Sequence, residues 1–233
     1  MSTRRLVRIA TTLMFTTIVQ TSLAGREWRG HVEMAPRAAD CAVLPRPHMR
    51  VRLTIAAGQA PGAASVVRQI VDQTWRAEGL NFDWVEGSGG SDAWTGLDAW
   101  IAIVAGMPTQ TDPAVMGQVL FQHGVPLRLI RISIDAAVEW VRRDQAARFG
   151  TSTRILNQTL GDTATLVPRA LGLIAAHEIG HLVLGSPAHP TSGVMQATFT
   201  RPMRLLTRLS PLGLDPNNRA RLRARLVESA GCP

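Results

Sequence analysis

The sequence of 233 residues predicts an α+β fold in which most of the strands precede most of the helices. Two patterns support this prediction: short segments where apolar and polar residues alternate, and longer segments where apolar residues recur at helical spacing. The sequence contains no internal repeat and no evident linker between these segments. We therefore expect one folded domain.

The alternating segments predict five strands, at residues 49–56, 81–86, 98–105, 119–121 and 127–134. Helical spacing predicts four helices, at residues 63–77, 135–148, 168–184 and 215–229. We expect Asp135 to cap the second helix and Asp215 to cap the fourth. Pro168 suits the first turn of the third helix, and Gly185 suits the left-handed residue that ends it.

The N-terminus has the composition of an export signal. Three arginines lie within the first eight residues, and residues 9–19 form an apolar, threonine-rich segment. Small residues follow at 21–24, which predicts cleavage before Gly25. The apolar segment is too short for a convincing membrane span, and a short amphipathic helix is the alternative. We therefore expect a signal peptide at 1–24, an extended arm at 25–47 and one folded domain at 48–233.

Composition indicates a globular protein, with 45% hydrophobic and 18% charged residues. The net charge is +8, and all 25 basic residues are arginine. No nucleic-acid-binding motif accompanies this charge, so we expect no specific nucleic-acid partner. No segment beyond the N-terminus is predicted to cross a membrane. Four arginines are clustered on the predicted last helix, which leaves a cationic module that binds the cell envelope as an alternative function.

The chain contains two cysteines, Cys41 and Cys232. In an exported protein such a pair is typical of one disulfide, here joining the N-terminal arm to the C-terminal segment. Two free, buried thiols are the alternative.

The segment AHEIGHLVLG carries the spacing H-E-x-x-H at His177, Glu178 and His181. Histidines four positions apart lie one turn apart on one side of a helix, so both rings can reach the same metal ion. Glu178 follows the first histidine and projects beside the metal, where it can accept a proton from a metal-bound water molecule. The pattern therefore predicts a zinc hydrolase site, and a helix with two ordinary histidines is the alternative.

A catalytic zinc site needs a third protein ligand. His189 is our candidate, because Gly185 can end the helix and turn the chain back toward the first two histidines. Asp215 and Glu228 are the alternative ligands, and a solvent-exposed loop histidine is the alternative role for His189. The glycine at position 180 leaves room for a neighbouring element beside the metal.

The segment HEIGHLVLGSPAHPTSGVM resembles the metzincin zinc-peptidase signature, H-E-x-x-H-x-x-G-x-x-H followed by a methionine turn. The first glutamate and both flanking histidines match position for position. Gly185, His189 and Met195 resemble the later glycine, histidine and methionine, although the glycine comes one residue late and the histidine two. The segment is also similar to small exported bacterial proteins with the pattern HEIGHLLLG-x-x-x-H followed by G-I/V-M.

This resemblance implies a metzincin-like fold with a mixed twisted sheet, an active-site helix and a C-terminal helix. It also implies an edge strand above the cleft, formed by residues 119–121 or by part of 127–134, that binds an extended peptide. The expected protein is a secreted or periplasmic zinc metallopeptidase with one zinc ion and a peptide or protein substrate, acting as a monomer. An exported zinc-binding protein without peptidase activity is the alternative.

Overall fold

The computed structural model describes residues 47–56, 62–85, 98–106, 115–149, 153–197 and 212–229. All of them belong to one compact unit, Ala35–Pro233. The predicted signal peptide, nearly all of the predicted arm, and both Cys41 and Cys232 lie outside the described residues.

The described residues form five strands and four helices in the predicted order. The strands are β1 (His48–Ile55), β2 (Asn81–Val85), β3 (Ala99–Val104), β4 (Gly117–Gln122) and β5 (Val125–Ser133). The helices are α1 (Ala63–Arg76), α2 (Ile134–Phe149), α3 (Thr153–Leu184) and α4 (Pro216–Ser229). The predicted α+β class is confirmed.

The five strands form one mixed sheet in the order β2-β1-β3-β5-β4. Four of the strands are parallel to one another, β2, β1, β3 and β5, whereas β4 pairs antiparallel with β5. A two-residue turn joins β4 to β5, and both His123 and Gly124 have positive φ angles, of 51° and 78°. Such a turn matches the twist of an antiparallel pair. Strand β4 therefore forms one edge of the sheet.

One face of the sheet forms the core together with the helices. In β3, Ala99, Ile101 and Ile103 are buried on this face, while Trp100 on the opposite face is 40% exposed. Val67 and Val71 of α1 belong to the same apolar cluster as the buried residues of α3. Because α1 and α2 both pack against α3, this helix is held by contacts with two other helices.

The predicted start of α3 is wrong: the helix begins at Thr153, and Pro168 lies inside it. Proline favours the first turn because it has no N–H to leave unpaired, but that preference does not stop a helix from extending further toward the N-terminus. An interior proline costs a helix about 3 kcal/mol. The buried apolar side chains of α3 between Leu166 and Leu184 provide the packing that offsets this cost.

The two predicted helix caps have different outcomes. Asp215 caps α4 as expected, because its Oδ1 accepts hydrogen bonds from the backbone N–H groups of Asn217 and Asn218. The prediction for α2 is wrong, since the Ser133 hydroxyl accepts from the N–H of Ala136 and Asp135 lies within the first turn. An acidic residue in the first turn still favours the helix, because it interacts with the positive end of the helix dipole.

The two candidates for the edge strand are also resolved. The segment 119–121 belongs to β4 at the edge, whereas 127–134 overlaps β5, which lies between β3 and β4. The second alternative is therefore wrong, because both sides of β5 are hydrogen-bonded.

No helix in the described part of the chain is both long enough and apolar enough to cross a lipid bilayer.

Candidate metal centre

Helix α3 places His177 and His181 one turn apart on the same side. Both residues are buried, with 8% and 6% of their surface exposed. Their Nε2 atoms lie 3.1 Å apart. The helical spacing thus directs two imidazole nitrogens toward one point, as predicted.

The third histidine reaches the same point from the loop that follows α3. Gly185 has a φ of 59° and ends the helix in the left-handed conformation, as predicted. The returning chain places the Nε2 of His189 3.2 Å from that of His177 and 3.1 Å from that of His181. Three imidazole nitrogens therefore form a nearly equilateral triangle. This group could hold a metal ion.

Backbone carbonyl groups orient two of the three rings. The Nδ1 of His177 donates to the carbonyl oxygen of Val194 at 2.8 Å, and the Nδ1 of His181 donates to that of Ser186 at 2.7 Å. A neutral imidazole that donates from Nδ1 has its lone pair on Nε2. Both rings therefore present an electron pair to the centre of the triangle, which is the form that binds a metal.

Burial also favours the neutral form of these rings. It lowers the pKa of His177 to about 4, against the opposing effect of the hydrogen bond to Val194. Burial likewise lowers the pKa of His181 and that of His189 below the usual range for histidine. The histidines of the metal-free protein are therefore neutral at pH 7, so that protons compete little with a metal ion.

Glu178 lies beside the histidine group and is buried, with 5% of its surface exposed. Burial raises the pKa of its carboxyl group to about 8 in the metal-free protein, although the backbone N–H of Val119 donates to it and opposes this shift. A carboxyl group in such an environment is suited to proton exchange near neutral pH. The contact with Val119 joins α3 to β4.

Gly117 on β4 allows this close approach. A methyl group at this position would lie 2.7 Å from Oε1 and 2.8 Å from Cγ of Glu178, and 2.7 Å from Cγ2 of Ile174. Real side chains do not approach so closely, so any larger residue at position 117 would displace the carboxylate or the strand. The strand predicted at 119–121 did not reach Gly117, and the contact of this glycine with Glu178 was not predicted from the sequence.

A turn at Gly193–Gln196 packs against α3 at Gly180. Gly193 has a φ of 80°, and its carbonyl oxygen accepts from the N–H of Gln196 at 3.4 Å. Met195 in this turn is 1% exposed, and its Sδ occupies the position where Gly180 would carry a side chain. The room predicted beside Gly180 is thus filled by the methionine predicted to form the turn.

The histidine group and Glu178 open into a cleft of about 290 Å³. Strand β4 and the chain just before it form one wall, and α3 with the following loop forms the other. The remaining lining residues are mostly apolar: Val115, Met116, Gly117, Gln118, Val119, Phe121, Ile174, Pro187 and Ala197. The candidate site is therefore accessible along an edge of the sheet.

The other candidate ligands lie elsewhere. Among the described residues, the group of possible metal ligands contains His177, His181 and His189 but neither Asp215 nor Glu228. Asp215 caps α4, and Glu228 is exposed on that helix.

The remaining described histidines also have other positions: the Nδ1 of His48 contacts the carboxylate of Asp83 at 3.2 Å, and His123 lies in the β4–β5 turn. His31 lies outside the described residues. The arrangement thus leaves His189 as the third member of the histidine group.

Comparison with protein-family models, with curated proteins and with solved structures finds no match for this chain.

Proposed function

We propose that the protein is a zinc-dependent metallopeptidase of a metzincin-like type, in which His177, His181 and His189 bind zinc and Glu178 is the catalytic base. The observation that carries this proposal is the triangle of three Nε2 atoms, with sides of 3.1–3.2 Å, beside a buried glutamate.

The histidine triangle has the dimensions that zinc requires. Nitrogen ligands about 2.0–2.1 Å from a tetrahedral zinc ion lie roughly 3.3 Å from one another. The observed separations are slightly shorter, and small movements of the rings would accommodate the ion. Imidazole nitrogen is also suited to copper and nickel, so metal analysis must identify the ion. Three protein ligands leave a fourth position for water or substrate, as catalytic zinc sites do.

Glu178 supplies the proton chemistry in this proposal. When bound, zinc lowers the pKa of a coordinated water molecule toward ~7 and polarises the substrate carbonyl group. The Glu178 carboxylate accepts a proton and later donates it to the leaving amine. The N–H of Val119 holds the carboxylate in place, and burial keeps its proton affinity high. Both effects suit a group that must accept and release a proton at each turnover.

Strand β4 is our proposed binding edge for an extended peptide. It lies at the end of the sheet, and Gly117, Gln118 and Val119 line the cleft beside the histidines. A peptide added to such an edge gains backbone hydrogen bonds, while its alternate side chains enter the cleft. The apolar lining next to the histidines favours substrates with an apolar side chain near the cleaved bond.

The predicted signal peptide at 1–24 places this activity outside the cytoplasm, in the periplasm or the medium. In that oxidising environment Cys41 and Cys232 are proposed to form a disulfide. The chain from Gly25 onward would carry a net charge of +5, which is the +8 of the whole sequence less Arg4, Arg5 and Arg8. This charge fits attraction to an anionic envelope, which would concentrate the enzyme there without a specific partner.

The direct test uses the chain from Gly25 onward, purified and analysed for metals. We expect about one zinc per chain and cleavage of at least some members of a broad peptide library. A chelator should abolish the cleavage, and added zinc should restore it, because the histidines release the ion when a stronger ligand competes.

Full zinc occupancy without cleavage of any peptide would support the alternative of an exported zinc-binding protein. Absence of bound zinc after reconstitution would contradict the metal site itself. Salt-sensitive binding to anionic vesicles that a chelator does not affect would instead favour the cationic envelope module.

The contact between β4 and Glu178 gives a second test. Replacing Gly117 by alanine would push a methyl group into the carboxylate. We expect kcat/KM to fall about 10- to 100-fold, as when a reacting group is displaced by about 1 Å. Zinc affinity should stay at its wild-type value, because the atoms nearest to the added methyl group belong to Glu178 and Ile174 and not to the three histidines. Peptide cleavage and zinc titration measure the two quantities.

Gly106→Ala is the matched control, because the nearest atom of the described residues, a carboxylate oxygen of Asp135, would lie 4.0 Å from a methyl group there, and the φ of Gly106 is not in the left-handed region. Its activity should equal that of the wild type. Wild-type activity in Gly117→Ala would show that the carboxylate tolerates displacement, contrary to the proposed role of β4.

A further inference from the structure

Glu78 is a buried carboxylate far along the chain from the histidine motif. It lies just after α1, and its side chain is 3% exposed. Arg219 of α4 donates to it from Nε at 2.7 Å and from Nη2 at 2.9 Å, and the backbone N–H of Leu214 donates at 3.0 Å. The arginine beside Glu78 holds the pKa of this carboxyl group below its usual range. Three donors thus fix one carboxylate.

This pair fixes the chain segment that precedes α4. The Nη2 of Arg219 also donates to the carbonyl oxygen of Leu214 at 3.1 Å, so that both backbone groups of Leu214 are bound. Gly213 is next to it, and a methyl group there would lie 3.1 Å from Oε1 of Glu78. The segment 213–214 is therefore tied to the end of α1.

The same segment holds the turn that orients a histidine. The carbonyl oxygen of Gly213 accepts from the N–H of Val194 at 3.0 Å. The backbone of Gly193 lies so close that a methyl group there would be 2.7 Å from this oxygen. The carbonyl oxygen of Val194 in turn accepts from Nδ1 of His177 at 2.8 Å. A continuous set of contacts therefore runs from Glu78 through Gly213 and Val194 to His177.

We propose that the Glu78–Arg219 pair is a positioning device for the metal site, which holds the Val194 carbonyl group where it orients the His177 ring. Neither member of the pair is among the described residues that line the cleft, so the pair acts only through the turn. This inference rests on the proposed zinc site. Fixing the ring in advance lowers the cost of ordering it when zinc binds.

Replacing Glu78 by alanine tests the proposal. Loss of a hydrogen-bond partner of a ligating histidine typically lowers metal affinity 10- to 100-fold. We expect a loss of about tenfold here, because Glu78 does not contact His177 directly but acts through the backbone of Gly213 and Val194. Zinc affinity is measured by competition with a chromogenic chelator. The visible spectrum of the cobalt-substituted protein, which reports the geometry around the metal, should also change. Glu78→Gln keeps an acceptor for the Leu214 N–H and should show a smaller loss.

Asp98→Ala is the matched control, since Asp98 is a similarly buried carboxylate that pairs with an arginine, Arg50, at 3.5 Å. It should lower stability without changing zinc affinity or the cobalt spectrum. Arg219→Gln breaks the same pair at its more exposed member, so it tests the proposal even if Glu78→Ala does not fold. This variant should lower zinc affinity by a similar factor.

Wild-type zinc affinity and an unchanged cobalt spectrum in the folded Glu78 or Arg219 variants would overturn the positioning role. An equal loss in Asp98→Ala would overturn it too, because the effect would then follow from general destabilisation. If the wild-type protein itself binds no zinc, the metal site and this inference both fail, whereas normal zinc binding in all variants removes this inference alone.

Discussion

Glu178→Ala is expected to keep its zinc and to lose peptide hydrolysis by roughly 10²–10⁴-fold, the usual contribution of a positioned general base. The carboxylate lies beside the three nitrogens but is not a member of the group that could bind the metal. Its removal therefore leaves the ligands in place while it removes the acceptor for the proton of the attacking water. Metal analysis and kcat/KM on a cleaved peptide measure the two halves of this prediction.

Glu228→Ala is the control, because Glu228 is exposed on α4 and should be replaceable without effect. Glu178→Gln keeps the size of the side chain and removes its ability to carry a negative charge. The amide oxygen can still accept from the Val119 N–H, but the amide cannot accept the proton of the water at neutral pH. We expect it to be as inactive as the alanine variant. Near-normal turnover in either variant would refute the assigned mechanism.

Replacing any one of His177, His181 and His189 by alanine should remove most of the zinc affinity. The loss should exceed the 10- to 100-fold typical of changes in the hydrogen-bond partners of a ligand, because one coordinate bond is itself removed. Zinc titration and the zinc-dependent rise in the unfolding temperature both measure it. The temperature rise should shrink with affinity, since a ligand stabilises the folded state in proportion to the logarithm of its concentration relative to Kd.

His48→Ala and His123→Ala are the controls, because these histidines lie on β1 and in the β4–β5 turn. Both should retain wild-type zinc affinity. Unaltered affinity in His189→Ala alone would keep the helical pair as ligands and move the third position to another residue. The three variants thus test the ligands separately.

The local part of the site could be predicted from the sequence. The i, i+4 spacing of His177 and His181 determines that both rings lie on one side of α3, whatever surrounds the helix. Gly185 marks the end of that helix, and the short loop after it limits the distance between His189 and the helix end. These predictions depend on fewer than 15 consecutive residues, over which backbone geometry is largely fixed by local rules.

The rest of the candidate site depends on contacts between segments that are distant in the sequence. Hydrogen bonds from Val119 to Glu178 and from Leu214 to Glu78 join residues separated by 59 and 136 positions. Spacing in a single sequence contains no information about such pairs, because sheet order and helix packing bring them together. The start of α3 was predicted incorrectly for a related reason, since the proline preference is local and tertiary packing outweighed it.

Among the described strands, β4 pairs on one side only, and this edge has a consequence for self-association. An unpaired strand edge is a template on which copies of a protein can join and aggregate. Here the pairing of β4 with β5 shifts register between Val119 and Phe121, and Glu178 already occupies the N–H of Val119. Both features interrupt the row of backbone groups that a second copy would need. The residue proposed to drive hydrolysis therefore also hinders self-association at this edge, and the extended peptide proposed to bind there would form its backbone hydrogen bonds without the N–H of Val119.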